Sequence, residues 1–210
     1  SFWDAPESVA FEAYRKLETE ILVQPLYLPA SKEDWRSHGT EVVEGAASYP
    51  TPEAVRDYAD ALPAPETLRD SLCVDEQLDD LRQSYTDFLE KLNADILVIP
   101  QCSVARFLWY MEFGYESYLS AFGLFPDAVR RLFEHSAENA RVLNELRVKL
   151  VEQKVLPPCF FTGHDICGNR GPIVAPETLR ELYMPSLRYS LEPLVAANVE
   201  VIWHSDGYIM

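Results

Sequence analysis

The sequence predicts an α/β fold built on parallel strands, and three observations carry that prediction. Residues 157–207 read as strand, loop, amphipathic helix, strand, which is the βαβ unit of a parallel sheet. A third apolar run, Asp-Ile-Leu-Val-Ile-Pro at 95–100, is also bounded like a buried strand and preceded by a helical stretch. The two strands of the βαβ unit end in ionisable residues, His164 and Asp165 on one, His204 and Asp206 on the other. Buried parallel strands are apolar, so charge at their carboxyl ends marks where α/β proteins carry out their chemistry.

The N-terminal elements are less regular. Residues 7–18 form an expected helix with Val9, Phe11, Ala13, Tyr14 and Leu17 as its apolar positions. Residues 21–28 could form a short strand, but Pro25 restricts it to an edge or an irregular segment. Residues 31–50 are polar and without period, an excursion with room for a small hairpin around 39–45. Thr51-Pro-Glu starts a helix that runs to about residue 61: an N-cap, a proline in the first turn, then an acid at the positive dipole end. Leu62-Pro-Ala-Pro closes it as a linker within the domain.

Residues 74–92 carry Leu78, Leu81, Tyr85, Phe88, Leu89 and Leu92 at helical spacing. After the 95–100 strand, residues 107–111 read as a short aromatic helix and 115–122 as another, separated by Gly114. Pro126-Asp-Ala opens a long helix to about residue 154, with Val129, Leu132, Phe133, Ser136, Ala137, Ala140, Leu143 and Leu150 on one side. In the βαβ helix, Leu179, Leu182, Tyr183, Ser186, Leu187, Ser190, Leu191, Leu194 and Val195 make one stripe. Pro176 suits its start and Asn198 its left-handed end, whereas Pro185 predicts a kink or break before it.

The 210 residues suffice for a single domain, 1–210, with a large core. With 18 basic against 34 acidic residues, the net charge of −16 argues against nucleic acid and against an anionic membrane. An anionic substrate held by local arginine remains compatible with it. There is no apolar run of roughly 18 residues, so no spanning helix is expected, and no signal-peptide pattern is visible. Cys73, Cys102, Cys159 and Cys167 form no CxxC pair and no disulfide framework, which favours a cytoplasmic setting. His38 and His135 sit in no motif and read as surface residues.

Two strands joined by one crossover commonly lie side by side. Ile202, His204 and Asp206 share a face, so His204, Asp206 and either His164 or Asp165 are expected to meet in one pocket. Arg170, in the loop after the first strand, is placed to hold an anion by bidentate pairing, or else is solvated. Gly168, Gly171 and Gly207 read as turn residues. Only three secure strands and one doubtful strand are legible, against the eight strands and about 250 residues of a βα-barrel. The expectation is an incomplete fragment, lacking C-terminal strands and a first strand.

Three segments in order carry a resemblance: Phe160-Phe-Thr-Gly-His-Asp-Ile-Cys-Gly168, Ile173-Val-Ala-Pro-Glu-Thr-Leu-Arg-Glu-Leu-Tyr-Met-Pro185 and Trp203-His-Ser-Asp-Gly207. Together, from about Tyr49 onward, the chain resembles the uroporphyrinogen decarboxylase superfamily, which includes corrinoid-linked methyltransferases. The resemblance implies a TIM (βα)8 barrel with its site at the carboxyl ends of the strands, and Pro185 belongs to the pattern. It implies Asp165 and Asp206 as catalytic groups and His164, Arg170 and Gly207 as substrate contacts.

Zinc-type methyltransferases of the superfamily look like His-x-Cys at the second strand end, with a further Cys downstream. Here His204-Ser-Asp206 stands in that place, either as a variant zinc site or as a metal-free one. The decarboxylases look like Glu-Ser-x-Ala-Gly where this chain has His164-Asp165-Ile-Cys-Gly168, and their Arg-Gln-Ala-Gly-Arg-Tyr segment is absent. The resemblance therefore ranks methyl transfer between a corrinoid, on a corrinoid protein, and a thiol or other small acceptor first. Cofactor-free decarboxylation of uroporphyrinogen ranks second, and a non-catalytic barrel that binds a tetrapyrrole or a corrinoid protein third.

Overall fold

A computed structural model describes residues 4–23, 49–93 and 95–208, except for the side chain of Met111. The expected hairpin at 39–45, most of the 31–50 excursion and His38 lie outside these residues. The strands are β1 (Ile21–Val23), β2 (Leu97–Ile99), β3 (Cys159–Gly163), β4 (Cys167–Gly168), β5 (Gly171–Pro172) and β6 (Glu200–His204). The helices are α1 (Pro6–Lys16), α2 (Pro52–Ala61), α3 (Pro65–Ser71), α4 (Val74–Leu92), α5 (Tyr110–Phe113), α6 (Tyr115–Leu124) and α7 (Pro126–Glu152). Next come α8 (Pro176–Thr178), a turn of π-helix (Leu179–Tyr183) and α9 (Met184–Ala196).

The fold is mixed α/β with parallel pairing. β1 pairs parallel with β2, Leu22 opposite Val98, so the doubtful strand at 21–28 forms over residues 21–23, and its residues 24–28 lie outside the described ones. β3 pairs parallel with β6, from Cys159 opposite Glu200 to Gly163 opposite His204. A parallel bridge between Gln101 and Phe161 links the two pairs. Its hydrogen bonds run from the Cys102 N–H to the Phe161 carbonyl (3.0 Å) and from the Phe161 N–H to the Pro100 carbonyl (2.9 Å). The parallel strands thus follow one another as β1-β2-β3-β6, in chain order. Among the described residues they do not close on themselves, and the finer barrel expectation is not met by a closed sheet.

Strand alternation sorts the side chains into two layers. Leu22 and Val98 bury against Phe11 and Leu92, and Phe160 and Val201 pack with Leu150, Leu194 and Val199. The opposite face carries exposed Ile21, Val23, Leu97 and Ile202. The largest apolar cluster lies between α2, α6, α7 and the 105–109 loop, with Phe107, Phe113, Tyr118, Phe133 and Tyr183 fully buried.

Local chemistry explains most boundaries. The Thr51 hydroxyl accepts the Ala54 N–H at 3.2 Å and caps α2. Asn198 adopts φ 54 after α9, as its position predicts. The break expected before Pro185 takes the form of the π turn, which widens the helix where proline cannot donate to the preceding turn.

Three expectations are corrected. Pro65, read as part of a linker, opens α3, because a missing N–H costs nothing at a first helical position. The expected helix at 107–111 begins only at Tyr110. The loop after β3 contains the short antiparallel β4–β5 hairpin, Gly168 opposite Gly171.

Candidate functional site

The two strand ends expected to meet do meet. Gly163 and His204 are paired residues, and a Cβ on Gly163 would collide with the His204 carbonyl, so this position takes only glycine. Past the strand ends the Asp206 N–H donates to Asp165 Oδ1 at 3.0 Å. The Tyr208 N–H donates to the Gly168 carbonyl at 3.0 Å, tying the segment after β6 to the β4–β5 hairpin. Gly207, at φ 92, lies where a Cβ would come within 2.6 Å of the Cys167 carbonyl oxygen.

These bonds gather three ligand-type side chains. One donor atom each of Asp165, His204 and Asp206 lies within 4.8 Å of the others, and all three residues are exposed. His204 Nε2 stands 3.3 Å from Asp206 Oδ1, a contact that is ionic only when the imidazole is protonated. It adds little to stability, because both groups are solvated. His204 lies on the face of Ile202, its ring 5.9 Å from that of Phe161. Each of the three offers a donor of a kind that zinc accepts, an imidazole nitrogen or a carboxylate oxygen.

Asp165, Asp206 and Gly207 line a cavity of about 240 Å³ with Tyr110, Tyr115 and Ile173. Tyr110 and Tyr115 stack there, ring centroids 4.3 Å apart. Burial raises the Tyr115 pKa, and the nearby Asp165 charge raises it further.

His164 is not part of this cavity. Its ring turns to the other side of the strand end and lines a separate cleft of about 660 Å³ with Gln101, Ser103, Arg106, His135 and Asn139. Of the two alternatives, Asp165 and not His164 meets His204 and Asp206, because neighbours in an extended chain point to opposite sides. Arg170 is exposed and forms no ion pair or hydrogen bond among the described residues. It lines neither cavity.

Sequence reading missed the wall that holds the larger cleft. Residues 103–109 form neither helix nor strand, so their backbone groups need partners elsewhere. Asn144, fully buried on α7, accepts the Ser103 N–H at 3.1 Å and donates to the carbonyls of Ser103 (2.7 Å) and Ser190 (2.8 Å). The Ser190 hydroxyl accepts the Ala105 N–H (3.2 Å), Tyr183 donates to the Ala105 carbonyl (3.0 Å), and Ser136 accepts the Arg106 N–H (3.0 Å). The Tyr118 hydroxyl donates to the Phe107 carbonyl. The signal available was polar residues placed in apolar helix stripes, Ser136, Asn144 and Ser190. His135, read as a surface residue, is half-buried in the cleft.

Comparison of the chain with family models, curated proteins and solved structures returns no match.

Proposed function

We propose that this chain is part of an enzyme resembling the uroporphyrinogen decarboxylase superfamily. On this reading its fold is a segment of a (βα)8 barrel, and it moves a methyl group between a corrinoid and a thiol or other small acceptor. The observation that carries the reading is the meeting of Asp165, His204 and Asp206 beyond two adjacent parallel strands, where such enzymes work. Four parallel strands in chain order support the barrel reading.

In this account Asp165, His204 and Asp206 would hold zinc, which would supply a Lewis acid that lowers the pKa of an acceptor thiol. The Asp206 N–H donates to Asp165 Oδ1 and orients that carboxylate. Tyr110, Tyr115 and Ile173 wall the adjoining cavity and keep bulk water from one side of it. Gly207 lets the segment after β6 pass against the Cys167 and Gly168 backbone, where any side chain would collide, and so holds Asp206 beside Asp165.

The test uses the full-length protein, assayed for zinc content, for methyl transfer from methylcobalamin to a thiol, and for loss of carboxyl groups from uroporphyrinogen. Zinc at one equivalent with methyl transfer supports the proposal. Decarboxylation without metal would replace it with the cofactor-free reaction, in which Asp206 and Asp165 hold the pyrrole nitrogens. Binding of a tetrapyrrole or corrinoid protein with neither activity would leave a non-catalytic barrel.

A further inference from the structure

The cleft of about 660 Å³ beside His164 has no part in the reading above. Its floor is the carboxyl ends of β2 and β3, its walls the 101–109 loop and α7, and Leu68 of α3 lies at its rim. We infer that α3 is a lid on this cleft, latched to α7 by the two ion pairs of Arg69 and opened by their release.

The first ground is how little else holds α3. None of its residues is buried, and only Pro65 and Leu68 are half-buried. Its backbone hydrogen bonds stay within residues 64–72, and the Ser71 hydroxyl bonds back to the Leu68 carbonyl. The residues that join it to its neighbours are extended on both sides, Ala64 at ψ 144 and Leu72 at ψ 127. Seven residues are too few for a helix to persist alone in water. α3 is therefore helical only while it rests on α7, and lifting it off unravels it.

The second ground is the latch. One Arg69 nitrogen stands 3.0 Å from Glu138 Oε1 and another 2.6 Å from Glu145 Oε2, both carboxylates of α7. Arg69 is exposed, so water and salt compete for it. The two carboxylates have other partners that do not involve α3. The Tyr189 hydroxyl donates to Glu138 Oε2 at 2.6 Å, and Arg141 Nε lies 3.2 Å from Glu145 Oε1. The receiving side of the latch thus stays assembled when Arg69 withdraws.

The third ground joins the latch to the cleft. Leu68 is the residue before Arg69, and His135, Ser136 and Asn139 line the cleft on the same helix that carries Glu138. Release of Arg69 carries Leu68 off the rim and widens the way to Cys102, which is buried in the lining.

The test uses the full chain and two readouts: amide hydrogen exchange over residues 65–71, and alkylation of Cys102 by iodoacetamide, located by peptide mapping. In Arg69→Met both should quicken about tenfold, while exchange within α7 stays parental. Glu145→Gln, which keeps the Glu138 pair, should quicken both about threefold. About 1 M sodium chloride should quicken both in the parent and neither in Arg69→Met. Parental exchange over 65–71 in both variants overturns the inference, as does faster exchange there with unchanged Cys102 labelling. Should Arg69→Met fail to fold, the parent alone decides, and rates that ignore salt overturn the inference. Neither readout uses zinc or methyl transfer, so the outcome is independent of the site at Asp165, His204 and Asp206.

Discussion

Two loops leave the same end of the parallel strands and are built in opposite ways. The 103–109 loop after β2 takes its hydrogen bonds from buried side chains: Asn144 and Ser136 of α7, Ser190 of α9, Tyr183 of the π turn and Tyr118 of α6. The segments after β3 and β6 are joined chiefly to each other, by the Asp206–Asp165 and Tyr208–Gly168 bonds, and their ionisable side chains stand in solvent. The first arrangement fixes a wall. The second leaves carboxylates and an imidazole free to bind and react while glycine backbones set their spacing. Buried hydrogen bonding and exposed ionisable groups are therefore divided between neighbouring loops, and substitutions should separate their effects.

The largest loss of stability should come from Asn144→Ala. It leaves the Ser103 N–H and the Ser103 and Ser190 carbonyls without their buried partner, and should cost on the order of 3 kcal/mol in chemical denaturation. Zinc content of the folded fraction should not change. A cost near zero would show that the wall is not held from α7.

Tyr183→Phe should cost less, about 1 kcal/mol, since it removes one bond to the Ala105 carbonyl and keeps the aromatic packing on Phe107 and Phe133. Thermal denaturation reads it directly. A loss as large as that of Asn144→Ala would mean that the tyrosine, rather than the asparagine, anchors the loop.

His164 predicts a pH effect of known sign. Burial lowers its folded-state pKa below the ordinary 6.5, so the unfolded chain binds the proton more readily. Its contribution is complete above pH 6.5 and is lost as pH falls through 6.5 toward the lower folded value. The parent should lose more stability than His164→Leu between pH 7.5 and pH 5. Equal losses would show that the ring is protonated in place.

Asp165→Asn should have the smallest effect on stability, within about 0.5 kcal/mol, because an amide oxygen can still accept the Asp206 N–H. It should nevertheless lower activity on the order of 100-fold if the carboxylate is a ligand or reacting group. Intact activity in this variant would remove Asp165 from the site.

The same division governs how far the structure was legible from sequence. The β3–β6 pair, the Thr51 cap, the Asn198 terminus and the length of α7 follow from local apolar runs and from the fixed preferences of proline, threonine and asparagine. So does the meeting of Asp165 with His204 and Asp206, since one crossover brings the strands together. Proline misled at Pro65, where a breaker in one context is a helix start in another. The Asn144 clamp spans 41 residues to Ser103 and 46 to Ser190, beyond any local pattern. The choice of Asp165 over His164 needs the β3–β6 register, Gly163 opposite His204, which no local periodicity reports.

The most direct test of the strand-end site is His204→Ala in the full-length protein, measured for zinc content and for methyl transfer from methylcobalamin to a thiol. His204 is exposed at a strand end and, among the described residues, its ionic contact is with Asp206, so the melting temperature should stay within a few degrees of the parent. The account predicts loss of bound zinc and a fall in rate on the order of 100-fold or more. Parental zinc content and an unchanged rate would contradict it.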